Sequence, residues 1–405
     1  MPASTPVYLD NAASTALIPA AAEAMAVAWS QPGNASSLHG SGRRARRILE
    51  ESRESIARDL GARPSEVIMT SGGTESDNLA VKGIYAARHR EDPRRRKVII
   101  SAIEHHAVLD PAQWLADEAD AELVVLPVDD RGQVRVDALR DVLEADADTV
   151  ALISVMWVNN EVGSCQPVTD VAALGAQHGV PVHSDAISAA GHVPVDFAAS
   201  GLAAMSVAGH KFGGPQGSGA LLLRRDVNCV PLLHGGGHER DLRSGTQDVP
   251  AAAGMAAALR AAVEHLDEHR SHVTRLRDRL VDVVTAVGGS RVNGALGAGG
   301  DAAPGIAHVS FDGCEGDSLL MLLDAKGIEC STGSACTAGV AAASHVLLAM
   351  GFDTATARGS LRFSLAPDND DDDVNAVAEV IGEVVERARA AGVLSGAGAR
   401  TGGGR

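Results

Sequence analysis

Aromatic side chains are nearly absent from this sequence: Phe, Trp and Tyr make up 2% of its 405 residues. Its core must therefore be built from Ala, Val and Leu. A surplus of basic charge is missing too. The formal net charge is −17 at pH 7, which argues against direct nucleic-acid binding, since that needs a broad basic surface. Two local basic runs, Arg43-Arg44-Ala45-Arg46-Arg47 and Arg94-Arg95-Arg96-Lys97, read as solvated faces, with a docking patch for an acidic partner as the alternative. No apolar run approaches the roughly 20 residues that span a bilayer. Met1 to Leu9 has neither the basic start nor the apolar stretch of a signal peptide. These absences point to a cytoplasmic protein that does not engage membranes. The five cysteines (Cys165, Cys229, Cys314, Cys330 and Cys336) are odd in number and fit no zinc or disulfide framework. Each is expected as a free thiol.

What is present is an alternation. Runs at Val67–Thr70, Val98–Ser101, Leu123–Leu126, Val150–Val155, Val180–Ser184 and Ala204–Val207 read as strands, with helical stretches between them such as Ser76–Arg88, Ala138–Ala145 and Val168–His178. That pattern predicts an α/β fold with a mostly parallel sheet covered on both faces. Such sheets bind ligands beyond the C-terminal ends of their strands. From Ala251 to Ala286 a proline-free, Ala-rich pattern predicts one long connecting helix. Beyond it come strands at Ile306–Phe311 and Ser360–Leu365, a helix at Asp317–Lys326 and a last helix from about Asp371. The expected division is a large unit over 14–255, a smaller α+β unit from 1–13 and 256–393, and a disordered tail over 394–405.

Three segments carry chemistry. In Thr70-Ser71-Gly72-Gly73-Thr74-Glu75 a strand ends, two glycines turn and a helix begins; its free amides suit an anion, or simply a capped helix. Asp185 closes the run Val182-His183-Ser184-Asp185 at a strand end. Lys211, in Gly209-His210-Lys211, follows the next strand. Desolvation lowers the pKa of a lysine and makes its amine a usable nucleophile. An acid for a pyridine nitrogen, a lysine for an imine and a helix start for a phosphate are what pyridoxal 5'-phosphate requires. A fourth segment, Ser331-Thr332-Gly333-Ser334-Ala335-Cys336-Thr337, sets one thiol among small residues, unlike the usual buried cysteine.

At this point the sequence resembles the cysteine desulfurases of iron–sulfur assembly, within the class V pyridoxal-phosphate aminotransferases. The resemblance rests on ten segments in order, among them Tyr8-Leu9-Asp10-Asn11-Ala12-Ala13, Gly33-Asn34-Ala35-Ser36-Ser37-Leu38-His39, Glu104-His105-His106, Val158-Asn159-Asn160-Glu161, Arg243-Ser244-Gly245-Thr246 and Ser360-Leu361-Arg362-Phe363-Ser364. It implies a fold-type I enzyme converting L-cysteine to L-alanine and passing sulfur, as a Cys336 persulfide, to an iron–sulfur scaffold or a tRNA-thiolating acceptor. Selenocysteine lyase or another class V aminotransferase is the alternative.

Roles follow from the resemblance. Lys211 forms the imine and moves the substrate α-proton, Asp185 pairs with the ring nitrogen, and His105 stacks on the ring. Gly73, Thr74 and His210 surround the phosphate. Thr246 reaches the phosphate of a second subunit, implying a homodimer. Asn160 lies near the ring hydroxyl and the substrate, Asn34 near the substrate, and Arg362 grips the substrate carboxylate. No resident metal is implied, although Cys336 could transiently ligate a cluster shared with a scaffold. The sequence departs from the pattern at Ser188, where many relatives have glutamine near the ring oxygen, and at Ala208 and Gln216.

Overall fold

The computed structural model of the chain describes residues 6–298, 301–333 and 343–400. Its strands among these residues are β1 (Val7–Tyr8), β2 (Val67–Thr70), β3 (Lys97–Ser101), β4 (Glu122–Leu126), β5 (Val150–Ser154), β6 (Val182–Asp185), β7 (Ala204–Ala208), β8 (Gly219–Leu223), β9 (Ser290–Val292), β10 (Ile306–Phe311), β11 (Ile328–Glu329) and β12 (Ser360–Ser364). Seven of them form one sheet in the order β2-β8-β7-β6-β5-β3-β4. From β4 to β7 every pairing is parallel. Only β8 is reversed, antiparallel to both β7 and β2.

Apart from its edge strand β4, the sheet is buried on both faces, as parallel sheets are. Met69, Ile99, Ile153 and Val207 face one core, which includes residues of the helix Val249–Glu264. Ile68, Val98, Ile100 and Leu152 face another, closed by Leu79 and Ile84 of the helix Gly73–Glu91. A further apolar core lies elsewhere. It joins Leu276 and Leu280 of the helix Leu266–Thr285 to Val309, Phe311 and Phe363, and to Val377 and Val385 of the helix Asp371–Arg400. The antiparallel sheet β9-β10-β12 lies in this part of the chain. Leu9, from the other end of the sequence, is fully buried in it, because β1 pairs with β11.

Two expectations are corrected. The single helix expected over 251–286 is two, Val249–Glu264 and Leu266–Thr285. His265 between them leaves helical geometry (φ −108°, ψ 16°) without a proline or glycine to announce it. Gly219–Leu223, for which no strand was expected, is the reversed strand of the sheet. The last helix runs into the stretch from 394 onward, and residues 401–405 lie outside the described residues.

Candidate active site

The C-terminal ends of β6 and β7 bring an acid and an amine together. Lys211 ends a short 3-10 turn, Gly209–Lys211, directly after β7. Its Nζ donates to the Ala12 carbonyl at 2.5 Å and to the Ala13 carbonyl at 3.2 Å. Burial lowers its pKa to about 8, helped by the Arg362 charge and opposed by Asp185 and Asp10. Asp185 ends β6, is 4% exposed, and accepts from the Ile187 amide at 2.9 Å. Burial raises its pKa to about 6, against the pull of that amide and of Lys211.

Behind Asp185 lies a set of buried groups that the sequence did not disclose. His183 is two residues back on the same face of β6. Its ring nitrogens meet Ser154 Oγ and Ser206 Oγ, each at 2.9 Å, and burial holds it neutral, down to about 3. Asp77, from the helix Gly73–Glu91, has an oxygen 3.6 Å from His183 Nε2. Neither Asp77 oxygen has a hydrogen-bond partner among the described residues. Burial and the nearby Asp185 push its carboxyl well above the usual range. Glu104 is buried as well and is raised to about 8, chiefly by desolvation. Strand alternation was the signal that could have paired His183 with Asp185; Asp77 and Glu104 gave none.

Two further groups complete the arrangement. The helix Gly73–Glu91 starts after Gly72 (φ 149°), and its first-turn amides lack intrahelical acceptors. A Cβ on Gly73 would lie 2.2 Å from Ile187 Cδ1, so the helix start packs closely on the Ile187 side chain, two residues after Asp185. Arg362, in β12, is 4% exposed. Its Nη1 donates to the Asn160 carbonyl at 2.8 Å and its Nη2 to Asp10 Oδ1 at 2.6 Å.

An acid, a depressed amine and a buried guanidinium thus lie within reach of one another's charge, beside a helix start led by glycine. Over residues 7–377 the sequence matches the family described as aminotransferase class-V. The chain belongs to the class V aminotransferases, among the cysteine desulfurases. It is 59% identical over 393 residues to an IscS-like cysteine desulfurase of Mycobacterium tuberculosis, covering 97% of this chain and 99% of that protein. To the cysteine desulfurase IscS of Methanosarcina thermophila it is 39% identical over 384 residues, 95% of this chain and 93% of that protein. A solved NifS-like protein shares the fold with a TM-score of 0.87 at 35% identity, covering 95% of this chain and all of that one. The architecture is fold type I, and the cofactor of a class V aminotransferase is pyridoxal 5'-phosphate. The residues present fit that group, with Asp185 for its ring nitrogen, Lys211 for its aldehyde and the tight turn at Gly73 for its phosphate.

The remaining residues expected in this class V site are placed unevenly. His105 caps the helix His106–Glu118, its Nδ1 accepting from the Ala107 amide at 3.0 Å. The residue as a whole is exposed, yet desolvation of the ring, then the Lys211 charge, lower it to about 4. His210 precedes Lys211 and is lowered to about 4, first by desolvation. Ser188 and Lys211 line one small cavity together with Asn11 and His192. Asn160 joins the group through its backbone carbonyl, on Arg362. Thr74 is exposed at the helix start, Ala208 is buried in β7, and the Gln216 side chain reaches Ser14 Oγ at 3.5 Å. Two residues are not brought in: Asn34 is exposed and accepts from the Ser36 amide, and Thr246 is exposed beside Ser71 and Arg243.

Cys336 lies outside the described residues. The chain before it is fixed at Ser331, whose backbone pairs with Arg362; the chain after it is fixed at Ser344, whose hydroxyl donates to Glu161 at 2.5 Å. The four described cysteines are all raised by burial: Cys165 to about 11, Cys229 and Cys330 to about 12, and Cys314 also upward. None of these four is set up as a thiolate nucleophile.

Proposed function

We propose that the chain converts L-cysteine to L-alanine and hands the sulfur, as a persulfide on Cys336, to a separate acceptor protein for iron–sulfur assembly or tRNA thiolation. The observation that carries this reading is the Lys211 amine, lowered to about 8 and flanked by Asp185 and Arg362. An amine of that pKa is part free base near neutral pH, so it can take and return a proton at the substrate α-carbon.

Each residue has a task in this reading. The first-turn amides of the helix Gly73–Glu91, with Thr74 and His210, bind the cofactor phosphate. Asp185 holds a proton on the ring nitrogen. When bound, pyridoxal phosphate draws electrons from the substrate and weakens its bond from Cβ to sulfur. His105, with Nδ1 engaged by the Ala107 amide, packs on the ring. Arg362 takes the substrate carboxylate. Asn160 and Ser188 orient the ring oxygen side. The Cys336 thiolate attacks the substrate sulfur: an S–S bond forms and the Cβ–S bond breaks. Its electron pair stays on carbon, which takes up a proton on the way to alanine.

The exposed positions of Asn34 and Thr246 support a homodimer in which a second copy supplies them. The separate cores support two units, a large one over 14–255 and a smaller one from 1–13 and 256–393, with the boundary moved to the break at His265, because Ala256, Ala258, Leu259 and Ala262 pack with the large unit. No helix among the described residues is long and apolar enough to cross a membrane, which accords with a cytoplasmic site of action.

Mass spectrometry after incubation with L-cysteine tests the reading. The expected result is one added sulfur on the Cys336 peptide and on no other cysteine, with both sulfur transfer and alanine formation lost in Cys336→Ala. Undiminished sulfide output from Cys336→Ala would overturn it.

A further inference from the structure

Arg362 uses only part of what its guanidinium offers. Nη1 is committed to the Asn160 carbonyl and Nη2 to one oxygen of Asp10. Nε is buried and has no partner among the described residues. Nε and Nη2 share one edge of the planar fork, an edge that takes both oxygens of a carboxylate side by side. Here that edge is half filled. A buried donor left without an acceptor is destabilising, so a ligand that fills both positions has free energy to gain.

We propose that Asp10 is an internal stand-in for the substrate carboxylate, holding Nη2 until the substrate displaces it and takes Nη2 and Nε together. The inference rests on Arg362 being the carboxylate site. The two side chains differ in the way an exchange requires: Arg362 is 5% exposed and Asp10 24%, so the acid can withdraw toward solvent while the guanidinium stays fixed. Asp10 sits on a strap bridged to Ser364 in β12, two residues before the carbonyl that holds Lys211. The exchange replaces one carboxylate by another, so Arg362 is never left as an unpaired buried charge, which would be strongly destabilising. A cysteine analogue whose carboxylate is blocked cannot make the exchange and leaves Asp10 in place.

If Asp10 competes with the substrate, neutralising it tightens binding. In the loaded enzyme, Asp10→Asn is expected to lower KM for L-cysteine about twofold to fivefold, within the range that a partly exposed ion pair spans, with a smaller change in kcat. The dissociation constant of the product L-alanine, measured at equilibrium, should fall in parallel, and Asp10→Ala should act in the same direction. A KM that rises or stays constant in both variants overturns the stand-in and makes Asp10 a support for Arg362. Arg362→Lys separates the two levels: if it leaves KM unchanged, the reading of Arg362 itself fails. If it raises KM while the Asp10 variants do not lower it, only the stand-in fails.

Discussion

Lys211 carries two opposed influences in one side chain. Two backbone carbonyls receive its hydrogens, yet burial and the Arg362 charge bring it to about 8. The sign is that of a depressed base. Below pH 8 the amine is mostly protonated; above it the free form dominates, where an ordinary lysine waits until about 10.4. Labelling the cofactor-free protein with an amine-acylating reagent, read by peptide mass spectrometry, should show Lys211 half-reacted near pH 8. Lys97, raised chiefly by its hydrogen bond to Asp146, should react only at higher pH. Coincident profiles for the two lysines would contradict the assignment. Lys211 and Asp185 were legible in the sequence because each stands at a strand end, and Arg362 because Ser360-Leu361-Arg362-Phe363-Ser364 resembles a known pattern. Asp10 was visible only as part of a motif. Its meaning lies in which donor of Arg362 it touches, and sequence spacing does not encode a contact between residues 352 apart.

At the level of elements, the C-terminal edge of the parallel sheet holds three buried acids, of which Glu104 is the simplest to isolate. Its Oε1 accepts from Ser101 Oγ and the Met156 amide, while Oε2 has no partner among the described residues. Burial raises it to about 8. Raised means that the native state holds a proton which the unfolded chain releases near pH 4.3. The stability contributed is therefore present at low pH and is lost as pH rises toward 8. Glu104→Gln keeps the acceptor and removes the titration. Relative to wild type, the variant should grow more stable from pH 5 to pH 8 in chemical denaturation of the cofactor-free protein. Parallel curves would show that Glu104 does not titrate in that window. Element legibility followed side-chain shape. Strands rich in Val and Ile, such as Val150–Ser154, were readable because β-branched residues suit strands. Gly219–Leu223 was missed because Gly, Ala and three Leu carry no such mark. The break at His265 has no glycine or proline signal, so helical periodicity ran through it.

Across the whole molecule, the N-terminal strap joins the core around Leu276 and Phe363 to the core of the sheet that includes Met69 and Ile153, on which Ala12 packs. Leu9 is buried in the core around Leu276 and Phe363, the next residue holds Arg362, and Ala12 and Ala13 hold Lys211. Thr15 then bonds the His210 carbonyl through both its amide and its hydroxyl. The core around Leu276 and Phe363 and the geometry of the site should therefore be coupled through this strap as well as through β12, whose Leu361 and Phe363 flank Arg362, and a pair of matched truncations can weigh the strap's share. Leu9→Ala and Leu280→Ala each empty a fully buried leucine position in the same core, at a cost of about 2–5 kcal/mol each. Leu280 lies on the helix Leu266–Thr285, off the strap. At equal loss of stability, Leu9→Ala should release pyridoxal phosphate faster, followed by the decay of its absorbance on dilution, and should raise KM for L-cysteine. Leu280→Ala should change stability with little effect on either. Equal effects from both substitutions would mean that this core acts on the site as a whole, and that the strap is only one of its contacts.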